Sequence, residues 1–270
     1  LWVQELLDKS PDLVPTLVGI DFSHFEEGYP PKDKRALFER IQTANLERPE
    51  RALEIVYHVG ESYFDKSLES AIRWCHEAAE MGVKRLGHAT ALGLDPEVAL
   101  SRRPDAHLVE RVSERRDQIR YDLAHAPELS AGGVHIDPVA LETELAALLD
   151  QSPDAYVERG YDRQRIHAIR SRQQVVLKRL ADLGTVIETC PTSNLRIGGV
   201  PDPMHHPVHA FLKSDVNLVI SADDPGIFDS PLSCEIDWLL THSGWSESAL
   251  EQRLGDPRRF QLGAQRLLGR

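Results

Sequence analysis

The sequence predicts an α/β fold, a parallel sheet crossed by helices, and three observations predict it. Short β-branched runs alternate with amphipathic helical stretches, the β-α-β-α-β pattern of crossover units. The runs are bounded by turn residues, as buried strands of a parallel sheet are. Ionisable side chains gather just after them, at the strand C-termini where α/β barrels build their sites. An open doubly wound sheet fits the same pattern. No Gly-x-Gly-x-x-Gly or P-loop sequence follows any of these runs, so nucleotide-phosphate cradles of those kinds are unsupported.

Taken in order, Trp2, Leu6 and Leu7 against Gln4, Glu5 and Asp8 give an amphipathic opening helix. Leu17-Val18-Gly19-Ile20 reads as a strand that delivers Asp21, Ser23, His24, Glu26 and Glu27 to a loop closed by Gly28 and Pro30-Pro31. Ala36, Leu37, Ile41 and Ala44 give residues 32–45 a helical period with a charged outer face. Residues 53–57 form the next strand, ending in His58-Val59-Gly60-Glu61. Residues 66–81 are a helix with Leu68, Ala71, Ile72, Cys75, Ala78 and Ala79 on one stripe, stopped by Gly82. A short run, 83–86, leads to Gly87-His88-Ala89.

From about 97 to 165 the regularity changes. This stretch is charged and broken by prolines and Gly132-Gly133, and it reads as a mostly helical insertion with no strand placed and its clearest helix at 139–149. A helix over 165–183 stops at Gly184, and the strand 185–188 leads into Thr189-Cys190-Pro191-Thr192-Ser193-Asn194. A short helix at 208–213 precedes the strand 216–220, which ends in Ser221-Ala222-Asp223-Asp224-Pro225. Helices are expected over 232–241, 246–254 and 257–268.

Composition narrows the function. Lys and Arg total 31 against 43 Asp and Glu, a net charge of −12, which argues against a nucleic-acid backbone or an anionic membrane as partner. Cys75, Cys190 and Cys234 are widely spaced and odd in number, so a disulfide framework is not expected and a reducing cytoplasm is. Without a Cys-x-x-Cys pair, a zinc ribbon and a Cys-ligated base deaminase are both unsupported. No apolar run approaches 18 residues.

Four groups at four strand ends carry the chemistry: His58 with Glu61, His88, Asp223 with Asp224, and the loop from Asp21 to His24. Each has a bland alternative, such as Asp224 capping the helix that Pro225 opens, or Glu61 favoured at a helix N-terminus. Together they fit a metal-dependent hydrolase. Imidazole and carboxylate suit a zinc-type ion. An ion held by His58 and Asp223 would bring the pKa of a bound water toward about 7, and His88 would take or orient its proton. Glu61, packed in an apolar pocket, would stay protonated and donate.

Ile20-Asp21-Phe22, His58-Val59-Gly60-Glu61, Arg85-Leu86-Gly87-His88, Cys190 to Asn194 and Ser221 to Pro225 resemble, in order, the motifs of the adenosine/AMP deaminase family of metal-dependent amidohydrolases. The resemblance implies a (β/α)8 TIM-type barrel, here incomplete, with strands equivalent to the fourth to eighth in one domain spanning 1–270. The step from His88 to Cys190 is 102 residues, against 30 from His58 to His88 and 33 from Cys190 to Asp223. An extra segment of about 65 residues therefore sits there, judged against an ordinary βα unit.

The resemblance further implies zinc-dependent hydrolytic deamination of adenosine or a related adenine nucleoside or nucleotide, releasing ammonia. His58 and Asp223 would ligate Zn2+, Glu61 would protonate the purine ring nitrogen beside the attacked carbon, and His88 would orient the attacking water and act as its base. Asp224 would hydrogen-bond the purine, and Asp21 would line the substrate side. Two departures stand out. The family's first strand supplies two further ligands from a His-x-His pair, and no His-x-His occurs here, so the chain reads as the C-terminal part of a longer protein. His24 stands where adenosine deaminases have a glycine that contacts the purine, which puts bulk at the sugar or phosphate end. Lys32, Lys34 and Arg35 follow, as a phosphate contact or a solvated helix start. The competing expectation is an inactive truncated relative or assembly subunit that keeps the scaffold, with a homo-oligomer built through the insertion.

Overall fold

The computed structural model describes residues 2–102 and 109–263. In chain order these form helix α1 (Trp2–Lys9), strand β1 (Gly19–Phe22), α2 (Arg35–Glu47), β2 (Glu54–Val59), α3 (Leu68–Glu80) and β3 (Arg85–His88). Next come α4 (Pro96–Ser101), β4 (Val109–Arg111), α5 (Val112–Ala124), α6 (Ala126–Ala131), α7 (Pro138–Leu149), β5 (Tyr156–Glu158) and α8 (Arg163–Leu183). The remainder is β6 (Val186–Thr189), α9 (Pro191–Arg196), α10 (Val208–Lys213), β7 (Asn217–Ile220), α11 (Pro225–Phe228), α12 (Leu232–His242) and α13 (Glu247–Leu254).

Five strands pair in the order β1-β2-β3-β6-β7, and every pairing is parallel. Among the described residues β1 and β7 remain outer edges, so the sheet is an open, incomplete barrel. Side chains alternate across it. Ile55, Tyr57, Val59, Leu86, Ile187 and Leu218 are buried in one core with Trp74, Val176, Leu177, Leu180 and Phe211. Burying each such large side chain contributes about 1.5–3 kcal/mol. The opposite face carries Asp21, His58, Arg85 and Glu188 around an open cavity of about 520 Å³. Arg85 donates to Glu188 Oε2 there at 2.9 Å.

Helix α3 anchors this core. Ser67 caps it, its hydroxyl accepting from the Ser70 amide at 3.2 Å. Gly82 follows its end at φ +88°, a conformation glycine adopts without steric cost. No helix among the described residues is long and apolar enough to cross a membrane.

Three expectations are corrected. Strand β1 runs two residues further than the apolar run, through Asp21 and Phe22, because Phe22 packs on Phe38 and Tyr57 at ring separations of 5.1 and 6.0 Å. The insertion contains strands: β4 and β5 form an antiparallel ribbon under helices α5 and α7. Of the helix expected over 257–268, the described part is a short 3-10 turn, Pro257–Phe260, and residues 264–268 lie outside the described residues.

The insertion has small apolar cores of its own, one around Val112, Ile119 and Leu148 and another around Tyr121, Leu129 and Val134. Buried ion pairs fasten it to the sheet's helices. Arg73 on α3 meets Glu114 at 2.5 Å, and Arg172 on α8 meets Asp122 at 2.6 Å. At the base of the insertion Glu69 and Arg165 join α3 to α8 at 2.7 Å.

Candidate active site

The C-terminal ends of β2, β3 and β7 bring His58, Glu61, His88 and Asp223 together. The ligand atoms of His58, His88 and Asp223 all lie within 4.8 Å of one another. His88 Nε2 is 3.5 Å from Glu61 Oε1 and 3.9 Å from Asp223 Oδ2. The backbone pays for this convergence: His88 stands at φ +65°, Ala89 at +48° and Asp223 at +56°. A side chain in that region costs roughly 1–3 kcal/mol, and such strain collects at functional sites.

Register explains how His58 fits. His58 pairs laterally with Gly87 on β3. A Cβ at position 87 would lie 2.6 Å from His58 Cδ2, so the imidazole occupies the space that any other residue's side chain would need. Gly60, at φ +72°, makes the turn that swings Glu61 back, and a Cβ there would collide with Cys75 Sγ of α3.

The segment after β6 orients two of these side chains. Ser193 Oγ donates to Asp223 Oδ2 at 2.6 Å. Asn194 Nδ2 lies 3.0 Å from His88 Nδ1, a contact that holds the ring with Nε2 facing Glu61 and Asp223. Asp21 Oδ1 lies 3.2 Å from His58 Nδ1, near enough for an ion pair but out of line for a hydrogen bond.

Electrostatics separates the groups. Burial, reinforced by Glu26 and Asp223, pushes Glu61 up to about 7. Burial pulls His88 down to about 4 against the attraction of Asp223, so this ring is neutral near pH 7. Contact with the Asp21 carboxylate, opposed by burial, raises His58.

Glu26 was not among the expected site residues. Its Oε1 accepts from the Gly60 amide at 3.0 Å, and its Oε2 accepts from Glu61 and Ser62 at 3.0 and 2.9 Å. One carboxylate therefore holds the turn that carries Glu61. Buried Lys66 lies 3.7 Å from Oε1 and caps the Trp74 ring at 4.1 Å. The only signal in the sequence was an acid in the loop after β1, and its partners lie 34–36 residues onward.

The remaining expected residues surround this centre. Asp224 precedes α11 without a side-chain capping bond among the described residues, and it lines the open cavity with Asp223 and His58. His24 is exposed and forms an aromatic wall with Phe25 and Tyr29, at ring separations of 5.4 and 6.2 Å. This wall borders a cavity of about 340 Å³ that Asp21, His58 and Lys34 also line. Lys32 instead pairs with Asp117 of α5.

The donor set fits a zinc-class ion. Two imidazoles and a carboxylate converge, Ser193 orients the carboxylate, and the buried His58 Nδ1 has no hydrogen-bond partner among the described residues.

Comparison with known proteins bears on this site. The adenosine deaminase family profile matches residues 157–255, which include Ser193, Asn194, Asp223 and Asp224. The adenine deaminase of Rhizobium etli is 32% identical over 143 residues, 53% of this chain and 42% of that protein. That of Rhizobium leguminosarum bv. trifolii is 38% identical over 86 residues, 32% of this chain and 27% of that protein. The crystal structure of adenine deaminase from Arthrobacter aurescens superposes with a TM-score of 0.53 at 16% identity, over 98% of this chain and 54% of its own. The matched portions span about half or less of these relatives' length.

Proposed function

We propose that the complete protein, whose chain is similar to the adenosine/adenine deaminase family, hydrolytically deaminates a 6-aminopurine with release of ammonia. The observation that carries this reading is the convergence of His58, Glu61, His88 and Asp223 at adjacent strand ends. In this reading His58 and Asp223 hold Zn2+. When bound, the ion supplies a water molecule acidified toward pH 7 as the nucleophile.

The chain's own residues do the rest. Glu61, kept partly protonated near neutrality by burial, donates to the ring nitrogen beside the carbon that bears the amino group. His88 is uncharged in the resting site, so it keeps a lone pair with which to accept a proton as attack proceeds. Ser193 and Asn194 fix the directions of Asp223 and His88. Asp224, unused as a helix cap, faces the purine.

Substrate choice follows from the loop after β1. His24, Phe25 and Tyr29 place aromatic bulk beside the 340 Å³ cavity, which favours a free base over a nucleoside whose sugar needs that room. The names of the curated relatives point the same way, so adenine is the first substrate to assay, with adenosine, deoxyadenosine, AMP and ATP beside it. If the zinc-loaded full-length protein releases ammonia from none of them, the substrate assignment falls. Free Cys75, Cys190 and Cys234 fit a cytoplasmic setting.

A further inference from the structure

A second cluster of metal-ligating side chains lies apart from the active site, where the C-terminal end of α3 meets that of α5. His76 and Glu80 stand one turn apart on α3, and His125 follows α5. The ligand atoms of all three lie within 4.8 Å of one another. His125 Nε2 is 3.2 Å from Glu80 Oε1, and His76 Nε2 is 3.8 Å from the same oxygen. Ligand atoms around a tetrahedral zinc ion with bonds of 2.0–2.3 Å sit about 3.3–3.8 Å apart.

Hydrogen bonding at the far side of each ring sharpens the case. His125 Nδ1 lies 2.9 Å from the Tyr121 carbonyl oxygen, which can only accept, so Nδ1 carries the proton. The neutral ring then turns a lone pair from Nε2 toward a carboxylate. Two acceptors 3.2 Å apart require a cation between them, either a proton or a metal ion. His76 favours the metal ion, because its Nε2 converges on the same oxygen, and with Nδ1 donating to the Tyr121 hydroxyl at 2.7 Å that Nε2 offers a second lone pair there. A proton joins one pair of atoms; three donors from two helices enclose an ion. Rings anchored through the opposite nitrogen are the usual support of metal-ligating histidines. The Glu80 side chain is 39% exposed, so water has access to complete the coordination. Arg179, whose charge acts on His76 and Glu80, is paired with Glu128.

We propose that His76, Glu80 and His125 form a structural site for a divalent zinc-class ion, which fastens the insertion to α3. The test uses the 270-residue chain carrying His58→Ala and Asp223→Asn, so that the candidate active-site ligands do not contribute. Zinc is titrated against a chromophoric chelator, and thermal unfolding is followed with and without zinc. The expected result is one equivalent bound and a melting temperature raised by zinc. Glu80→Gln, on a half-exposed side chain, is expected to weaken zinc binding at least about 10-fold, and Tyr121→Phe, which removes only the hydroxyl behind His76, about 10-fold. Both variants should keep the parent's circular dichroism. Absence of zinc uptake by the parent, or equal affinity in the parent and Glu80→Gln, would overturn the site and leave a proton-bridged ion pair.

Discussion

Glu61 can act only if its turn is held, and the residue that holds it is Glu26. Three amides converge on one buried carboxylate, so Glu26→Gln keeps the shape but loses the charge that those donors prefer. On the proposed reading, this variant of the complete protein is expected to retain metal and lose at least about tenfold in kcat, as a positioning residue would. Glu61→Gln should also retain metal while losing about 10²–10⁴-fold in kcat, as removal of a proton donor does. Asp223→Asn, by contrast, should lose the metal itself. Elemental analysis beside ammonia release separates the three, and full turnover in Glu61→Gln would remove it from the proton-donor role.

Among the elements, α3 bears on both the site and the insertion. Its cap predicts that Ser67→Ala destabilises by about 1 kcal/mol, measurable by urea unfolding. Arg165 beside buried Glu69 holds that carboxyl at about 2, against burial, which alone would raise it. Because the folded value is depressed below the usual 4.5, the stabilisation is complete above pH 4.5 and is lost as pH falls toward 2. The shift corresponds to about 3 kcal/mol, so Glu69→Gln should unfold more easily at pH 7 and show a flatter acid limb. Helix α3 was legible in the sequence because its apolar stripe is long and its ends are marked by Ser67 and Gly82. Strands β2, β6 and β7 were legible as apolar runs bounded by turn residues, whereas the run 83–86 was too short to identify alone and β3 was marked by the His88 at its end. The ribbon of β4 and β5 was not, because three residues carry no period, and Glu110 there is buried against Arg159 rather than in an apolar face. His58, His88 and Asp223 were visible as strand ends. Glu26 was hidden, since backbone amides leave no mark in a sequence.

At the scale of the whole molecule, the open sheet sets the behaviour of this chain in solution. Among the described residues, strands β1 and β7 each have no strand paired on their outer side, and the face with Asp21, His58, Arg85 and Glu188 borders open space. Sedimentation velocity on the 270-residue chain is therefore expected to show concentration-dependent association across about 1–100 μM. Truncating the insertion's exposed apolar side chains Val139, Leu149 and Tyr156 separates its contribution from that of the edges. Association abolished by those truncations would locate the contact on the insertion, whereas association unchanged would locate it on the sheet.

The imidazole of His58 lying over Gly87 has a consequence for how this protein can vary. The two positions share one volume, so neither is free to drift alone. Any lineage that acquires a methyl at 87 must first shrink 58 and forfeit the imidazole at the candidate site, which makes the order of substitutions matter. In a deep mutational scan selected for deaminase activity, position 87 should accept glycine only. In a His58→Ala background selected for folding alone, Gly87→Ala should become neutral, a sign epistasis written by the geometry of a single strand pair.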